Sequence, residues 1–115
     1  MEDCIFCRIA NGEIPVPLVY EDERVAAFAD LHPQAPVHVL IVPRVHYSGM
    51  QDAVPGEVYA ALYEAAPKVA RAMGVAESGY RLIVNTGPDA GQTVMHLHVH
   101  LLGGAPMSEG MVRLA

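Results

Sequence analysis

Five runs of apolar residues in the chain have the pattern expected of β-strands. The runs are 17–22, 24–30, 37–43, 80–85 and 94–104, and in the last of them apolar and polar positions alternate from 96 to 101. Run 37–43, VHVLIVP, is apolar almost throughout, which predicts a central strand covered on both faces. Asp22-Glu23, between the first two runs, predicts a hairpin.

Two segments of the chain have helical character. From Gly56 to about Met73 apolar residues recur at helical spacing, and Gly74 predicts the end of this helix. Pro67 lies inside it, where an interior proline costs about 3 kcal/mol, so we expect a kink or a weakened turn there. A short helical turn begins at Cys4. Together these elements predict an α+β fold, with an antiparallel five-stranded sheet and one long and one short helix, in a single domain spanning 1–115.

The acidic net charge and the residues of segment 1–10 argue against several classes of function. Thirteen acidic residues outnumber seven basic ones, and no Lys/Arg cluster occurs, which argues against nucleic-acid binding. A bound phosphate would therefore be held by loop N–H groups and imidazoles. The segment MEDCIFCRIA has acids where a secretory signal has bases, and no apolar run reaches the ~20 residues that span a bilayer. The sequence therefore predicts a cytoplasmic protein without membrane contact.

Three histidines at alternate positions, His96, His98 and His100, stand in the last predicted strand. Strand geometry places them on one face, with neighbouring members about 6–7 Å apart and the intervening apolar residues on the other face. A slip of one residue would bury all three imidazoles, so the apolar face fixes the register. A single histidine on a strand is usually a core or rim residue, but three in strict alternation favour a chemical role.

The loop before these histidines, NTGPDAGQT, has the composition of an anion-binding loop. Gly87 and Gly91 allow close approach of the backbone to a ligand, and Gln92 and Thr93 add donors beside it. Most glycine-rich loops are only turns, yet this one leads directly to a row of imidazoles. Imidazole is a metal ligand and also a nucleophile or general acid and base near neutral pH, so the combination points to phosphoryl or nucleotidyl chemistry.

The segment HLHVHLL, 96–102, resembles the His-x-His-x-His-x-x signature of the histidine-triad nucleotide-binding family. The similarity extends over CIFCRIANGEIP, VYEDERVAAFADLHPQAPVHVLIVP, GYRLIVNTG and AGQTVMHLHVHLLGG, which is nearly the whole chain. Gly103-Gly104 is similar to the Hint-type branch, whereas the Fhit-type strand usually continues into Pro-Arg.

This resemblance implies a homodimer, with the sheet continuing across the two-fold axis and the long helix at the interface. It implies hydrolysis or transfer of a nucleoside monophosphate through a nucleotidyl-histidine intermediate, with purine nucleoside 5′-phosphoramidates of AMP type as substrates. Two alternatives stay open: a dinucleoside polyphosphate hydrolase, which the Gly-Gly ending disfavours, and a nucleotide-binding zinc protein whose main role is contact with a partner.

The resemblance also assigns roles to residues. His98 would be the nucleophile, His100 would bind the phosphoryl oxygens, and His38, with His96, would complete the catalytic set. The implied nucleotide-binding positions, from base to leaving group, are Phe28, Asp30, Leu31, Asn85, Gly91, Gln92 and Thr93.

Two of these neighbourhoods depart from the family's usual pattern. Thr93 stands where many Hint-type members have serine, and its extra methyl group stiffens χ1, which would shift the leaving-group preference. His32 stands where small polar residues are common, beside the implied ribose position Asp30, and an exposed loop histidine is its default interpretation.

Cys4 and Cys7 form a C-x-x-C pair. In a chain expected to be cytoplasmic, this spacing favours metal ligands or a redox pair over a structural disulfide, but two thiols alone do not complete a tetrahedral site. The resemblance implies that His46 and His96 complete it as a structural zinc site. Two reduced, buried thiols are the simpler alternative. A thioredoxin-like role is disfavoured because no strand precedes Cys4.

Overall fold

The computed structural model describes residues 3–112 and contains one antiparallel sheet with a helix on each face. Its main elements are α1 (Ile5–Ala10), β1 (Tyr20–Glu21), β2 (Val25–Ala29), β3 (Val37–Pro43), α2 (Gly56–Ala72), β4 (Tyr80–Ile83) and β5 (Val99–Gly103). The strand order is β1-β2-β3-β5-β4, and every neighbouring pair is antiparallel. The predicted α+β class, with one long and one short helix, is confirmed.

Strand β3 lies in the middle of two hydrophobic cores. On one face Val39 and Ile41 pack with α2, which contributes Leu62, Val69 and several alanines that allow close approach of helix and sheet. On the other face Leu40 and Val42 pack with residues of α1. The prediction that 37–43 is covered on both sides is therefore confirmed, and the two covers are different helices.

Helix α2 continues through Pro67 without interruption and is followed by Gly74, whose φ is 75°. Pro67 removes only the hydrogen bond to the carbonyl of Tyr63, and both residues lie on the exposed side of the helix. Water can hydrate that carbonyl, which explains why the expected weak turn does not break the helix. Along residues 3–112 we find no helix with the length and apolar character needed to cross a bilayer.

Strands β1, β4 and β5 are shorter than the sequence predicted. β1 has two residues instead of six, β4 ends at Ile83, and β5 begins at Val99 instead of Val94. The pairing of Ile41 with Val99 would place Leu97 opposite Pro43, which has no N–H to donate to a ladder. The Leu97 N–H instead donates to the Tyr47 carbonyl at 2.6 Å. His96 and His98 therefore lie in an extended segment just before β5, although Leu97 still faces the α2 core.

Candidate functional site

The imidazole of His98 is buried and has a fixed tautomer. Its Nδ1 donates to the main-chain carbonyl of His96 at 2.6 Å, since a carbonyl oxygen can only accept. Burial of the ring lowers the pKa of His98 below its ordinary value, so the ring is neutral near pH 7. A neutral imidazole with its proton on Nδ1 has a free electron pair on Nε2. His98 therefore presents a nucleophilic nitrogen.

His38 and His100 form a hydrogen-bonded pair whose tautomers are also fixed. The main-chain N–H of Gln34 donates to His38 Nδ1 at 3.0 Å, so the proton of a neutral His38 is on Nε2. That Nε2 donates to His100 Nδ1 at 2.9 Å, which leaves the proton of His100 on its own Nε2. Burial lowers the pKa of His100 to about 4. His100 is therefore a neutral N–H donor, with its ring centroid 4.9 Å from that of His98.

Asp30 lies at the end of β2, beside this pair. One carboxylate oxygen accepts the His32 N–H at 2.8 Å, and the other lies 3.5 Å from His38 Nε2. Asp30, His38 and His100 place possible ligand atoms within 4.8 Å of one another. A metal on His38 Nε2 would move the proton to Nδ1, against the Gln34 N–H. This cluster is therefore better suited to hydrogen bonding than to metal binding.

A cavity of about 310 Å³ opens between α1 and the β2–β3 face. It contains four of the residues predicted to bind a nucleotide: Phe28, Asp30, Leu31 and Thr93. His32 also belongs to the wall, and the sequence placed it beside Asp30 without a role. The remaining residues of the wall were not predicted from the sequence: Ile5, Phe6, Ile9, Val16, Ala29, Leu40 and Val94. The only signal for the α1 residues was the apolar face of a helix too short to form a core alone.

The glycine-rich loop has the backbone conformation that its glycines predict. Gly87 and Gly91 have φ values of 86° and 82°, a region that side-chain-bearing residues rarely adopt. Gln92 is buried: its Oε1 accepts the Gly87 N–H at 2.9 Å, and its Nε2 donates to the Ser48 and Val94 carbonyls. The Gln92 side chain thus links two parts of the loop to each other and to the Ser48 carbonyl. Both of its N–H donors are used within the protein.

The predicted nucleotide contacts are spread around this loop and the cavity. Asn85 is half-buried two residues beyond β4, and Gly91 and Thr93 are exposed at the other end of the loop. Thr93 also borders the cavity, which joins the loop to the proposed nucleoside position. Thr93 is thus the member of the predicted loop set that lies on the cavity wall, whereas Asn85, Gly91 and Gln92 are not part of that wall.

Cys4, Cys7, His46 and His96 converge from three separate segments. Their potential ligand atoms all lie within 4.8 Å of one another. The closest pairs are 3.2–3.3 Å apart and join each sulfur to a histidine Nδ1. Ligand bonds of about 2.0–2.3 Å to a tetrahedral zinc ion require separations of roughly 3.3–3.8 Å, so the donor set fits zinc after small adjustments.

The second nitrogen of His96 supports the same conclusion. Its Nε2 donates to the Pro43 carbonyl at 2.8 Å, so the electron pair of the neutral ring is on Nδ1 and faces the two sulfurs. A metal-bound histidine usually donates its other N–H to a carbonyl or carboxylate. His96 also provides the carbonyl that orients His98. The candidate metal centre and the nucleophilic nitrogen are therefore joined through one residue.

We expect the protein without bound nucleotide to lose stability as the pH falls from about 6.5 to about 4. The folded state holds the pKa of His100 near 4, below its ordinary value of 6.5, so the unfolded chain binds more protons in this interval. The contribution is complete above pH 6.5 and is lost at lower pH. His96 acts in the same direction. Melting temperatures between pH 4 and pH 7 measure the effect.

His100→Asn is the matched variant for this measurement, because it removes one titrating ring and keeps a polar side chain. Its melting temperature should fall less steeply with decreasing pH than that of the wild type. Parallel curves for the two proteins would contradict the assignment of acid sensitivity to His100.

Known proteins resemble this chain over most of its length. A sequence model described as the HIT domain matches residues 11–107. Purine nucleoside phosphoramidase of Escherichia coli K12 is 44% identical over 108 residues, covering 92% of this chain and 91% of that protein. The 14 kDa zinc-binding protein of Zea mays is 46% identical, covering 90% and 84% respectively. The solved HIT family hydrolase of Clostridium thermocellum has a TM-score of 0.92 and 47% identity, with 97% and 99% coverage.

Proposed function

The chain belongs to the histidine-triad (HIT) family, and from this membership and the geometry of its histidines we propose that it hydrolyses purine nucleoside 5′-phosphoramidates through a nucleotidyl-histidine intermediate. The observation that carries the proposal is the pair of opposite tautomers at His98 and His100. One ring offers an electron pair on Nε2, and its neighbour offers an N–H. A nucleophile beside a donor for the developing phosphoryl charge is what nucleotidyl transfer requires.

The first step forms a bond from His98 Nε2 to the α-phosphorus and breaks the phosphorus–nitrogen bond. Negative charge on the phosphoryl oxygens is met by His100 Nε2–H and by N–H groups of the loop before Thr93. The imidazole becomes positively charged, and the His96 carbonyl stabilises its Nδ1–H. The departing amine takes its proton from solvent, because the neutral His38–His100 pair would have to become an imidazolate to supply it.

In the second step water attacks the same phosphorus, and the bond to His98 Nε2 breaks. The leaving group is a neutral imidazole, because its other nitrogen keeps its proton on the His96 carbonyl. The proton of the attacking water passes to solvent and balances the one taken up in the first step, so the tautomers of His38 and His100 do not change. No residue of the site needs to be strongly basic.

The charge of the site favours a phosphoramidate over a dinucleoside polyphosphate. Among the described residues, neither the cavity wall nor the loop 85–93 contains a lysine or arginine. N–H dipoles and neutral imidazoles suit a single phosphoryl anion, whereas a polyphosphate chain would bring several charges without counter-charges. The apolar walls of the cavity, from Ile9 and Val16 to Phe28, suit a flat purine. The name of the Escherichia coli relative agrees with this choice.

Product analysis tests the proposal directly. The protein is incubated with adenosine 5′-phosphoramidate and, separately, with a dinucleoside polyphosphate, and products are separated by chromatography. We expect AMP from the first substrate only. AMP from the second substrate only would support the polyphosphate hydrolase, and no product from either would support a nucleotide-binding zinc protein that acts through a partner.

The quaternary structure and location are part of the same proposal. We infer a cytoplasmic homodimer, in which β4 pairs with its symmetry mate. Strand β4 is an edge strand that pairs only with β5 in the sheet, and all four of its residues are half-buried, so it is a short edge suited to extension. Zinc bound by Cys4, Cys7, His46 and His96 would fasten α1 to the segment that carries His98.

A further inference from the structure

We propose that His32 selects ribonucleotides by donating a hydrogen bond to a ribose hydroxyl that Asp30 also binds. This inference rests on the proposed function, because it assumes a nucleoside in the cavity of about 310 Å³. His32 has no role in the chemical step described above. It would determine which sugar the site accepts.

The local backbone places the two side chains at the same end of the cavity. The N–H of His32 donates to one carboxylate oxygen of Asp30 at 2.8 Å, in a tight turn directly after β2. Both residues belong to the cavity wall. The imidazole of His32 is exposed, so a ligand at the cavity mouth can reach it.

The composition of the wall leaves few partners for a sugar. Among the cavity residues, only Asp30, His32 and Thr93 have polar side chains. Thr93 directly follows the glycine-rich loop, which we propose holds the phosphate. Within the cavity wall, Asp30 and His32 are therefore the side chains left to pair with the ribose hydroxyls.

The chemistry of a hydroxyl calls for both partners. A carboxylate can only accept, so a ribose hydroxyl must donate to Asp30, and its oxygen still has electron pairs that need a donor. An imidazole N–H supplies this donor. Leaving such a group unpaired at a partly desolvated site is costly, which is why a site built around a hydroxyl rejects an analogue without it.

The hydrogen bond between His32 and the ribose is tested by combining a substitution in the enzyme with the removal of a hydroxyl from the substrate. His32→Ala is compared with the wild type on adenosine 5′-phosphoramidate and on its 2′-deoxy and 3′-deoxy analogues. We expect KM for the ribonucleotide to rise roughly tenfold, which corresponds to about 1.4 kcal/mol, with kcat changed by less than about twofold. On the analogue that lacks the contacted hydroxyl, the two enzymes should have the same KM. His32→Asn retains an N–H donor and should recover most of the affinity.

Two results would overturn the proposal. One is a KM ratio between His32→Ala and wild type that is equal for the ribose and both deoxyribose substrates, since this would show no coupling to a hydroxyl. The other is a ratio that changes with the base, from adenine to hypoxanthine, and not with the sugar.

Binding measurements separate this proposal from the function on which it rests. The same comparison is repeated by calorimetry with AMP and its two deoxy analogues, which requires no turnover. Coupling between His32 and a hydroxyl in the dissociation constants would support the contact even if no phosphoramidate were hydrolysed. Equal losses of AMP and deoxy-AMP affinity would refute it even in an active hydrolase.

Discussion

Replacing His98 with alanine is expected to lower kcat by at least about 10⁴-fold while nucleotide affinity changes by only a few-fold. Removing a nucleophile that other residues cannot replace typically costs 10⁴–10⁶ in kcat. The other proposed phosphate donors, His100 and the loop N–H groups, remain in place. His98 is buried against Phe6, with ring centroids 5.2 Å apart, so the variant also leaves a small cavity.

The experiment measures single-turnover hydrolysis of adenosine 5′-phosphoramidate and, separately, the dissociation constant of AMP. His98→Asn fills more of the cavity than alanine and is the control for loss of packing, and a thermal melt shows whether each variant is folded. Acid-labile nucleotide label on the wild-type protein, absent from both variants, would identify the intermediate. Wild-type activity in a folded His98→Ala protein, or label on another side chain, would refute the assignment.

Removing the zinc proposed at Cys4, Cys7, His46 and His96 is expected to lower the melting temperature of the wild-type protein by roughly 15 °C. A ligand present at about 1,000 times its dissociation constant stabilises the folded state by about 4 kcal/mol, and for a domain of this size 1 kcal/mol shifts the melting temperature by about 4 °C. Cys7 is buried and lies 3.2–3.3 Å from both His46 and His96, so Cys7→Ser removes a central ligand.

The measurement compares wild type and Cys7→Ser with and without a chelator. The zinc content of protein purified without chelators should be close to one per wild-type chain and close to zero in the variant. Chelation should lower the melting temperature of the wild type only, which separates loss of metal from the cost of a buried hydroxyl. Restoring zinc should restore the wild-type melt. Wild-type protein that carries no zinc as purified, and whose melting temperature the chelator leaves unchanged, would contradict the site.

The same treatment is expected to reduce kcat by about 10- to 100-fold, a range typical of groups that orient a metal site or a catalytic ring. His96 would hold the metal through its ring, and it accepts the Nδ1–H of His98 with its carbonyl. Because the segment around His96 lies outside the sheet ladder, the four-ligand centre would be the main restraint on this carbonyl. An unchanged kcat after complete metal removal would show that Pro43 and Tyr47 hold the segment without the metal.

Much of the site could be predicted because the signals are periodic or local. Alternation along 96–101 placed the histidines opposite the apolar residues, and Leu97, Val99 and Leu101 do lie in the α2 core. The predicted alternation of faces is correct although β5 begins only at Val99. An extended chain points successive side chains to opposite sides whether or not it is paired in a sheet. The shorter strand itself could not be predicted, because it depends on the pairing register with Pro43.

Other features had no signal of this kind. The α1 wall of the cavity, including Ile5 and Ile9, comes from a helix that a proline-containing loop and β1 separate from β2 along the chain. The family resemblance assigns Gln92 to a ligand contact. The N–H of its side-chain amide instead donates to the Ser48 carbonyl, 44 residues away in the chain. The N–H that fixes His38 belongs to the backbone of Gln34, and any residue except proline could provide it.

The sequence by itself determined which groups are available: three imidazoles on one face, a glycine loop before them, and four possible zinc ligands. The first two facts follow from residue identity and from the geometry of an extended chain, whereas the full set of zinc ligands follows from the resemblance to the histidine-triad family. Only the tertiary structure decided where the protons are. The tautomers of His98 and His38 depend on a main-chain carbonyl and a main-chain N–H, and that of His100 on the ring of His38, 62 residues away. A tautomer is a response to neighbouring groups, and the fold selects those neighbours.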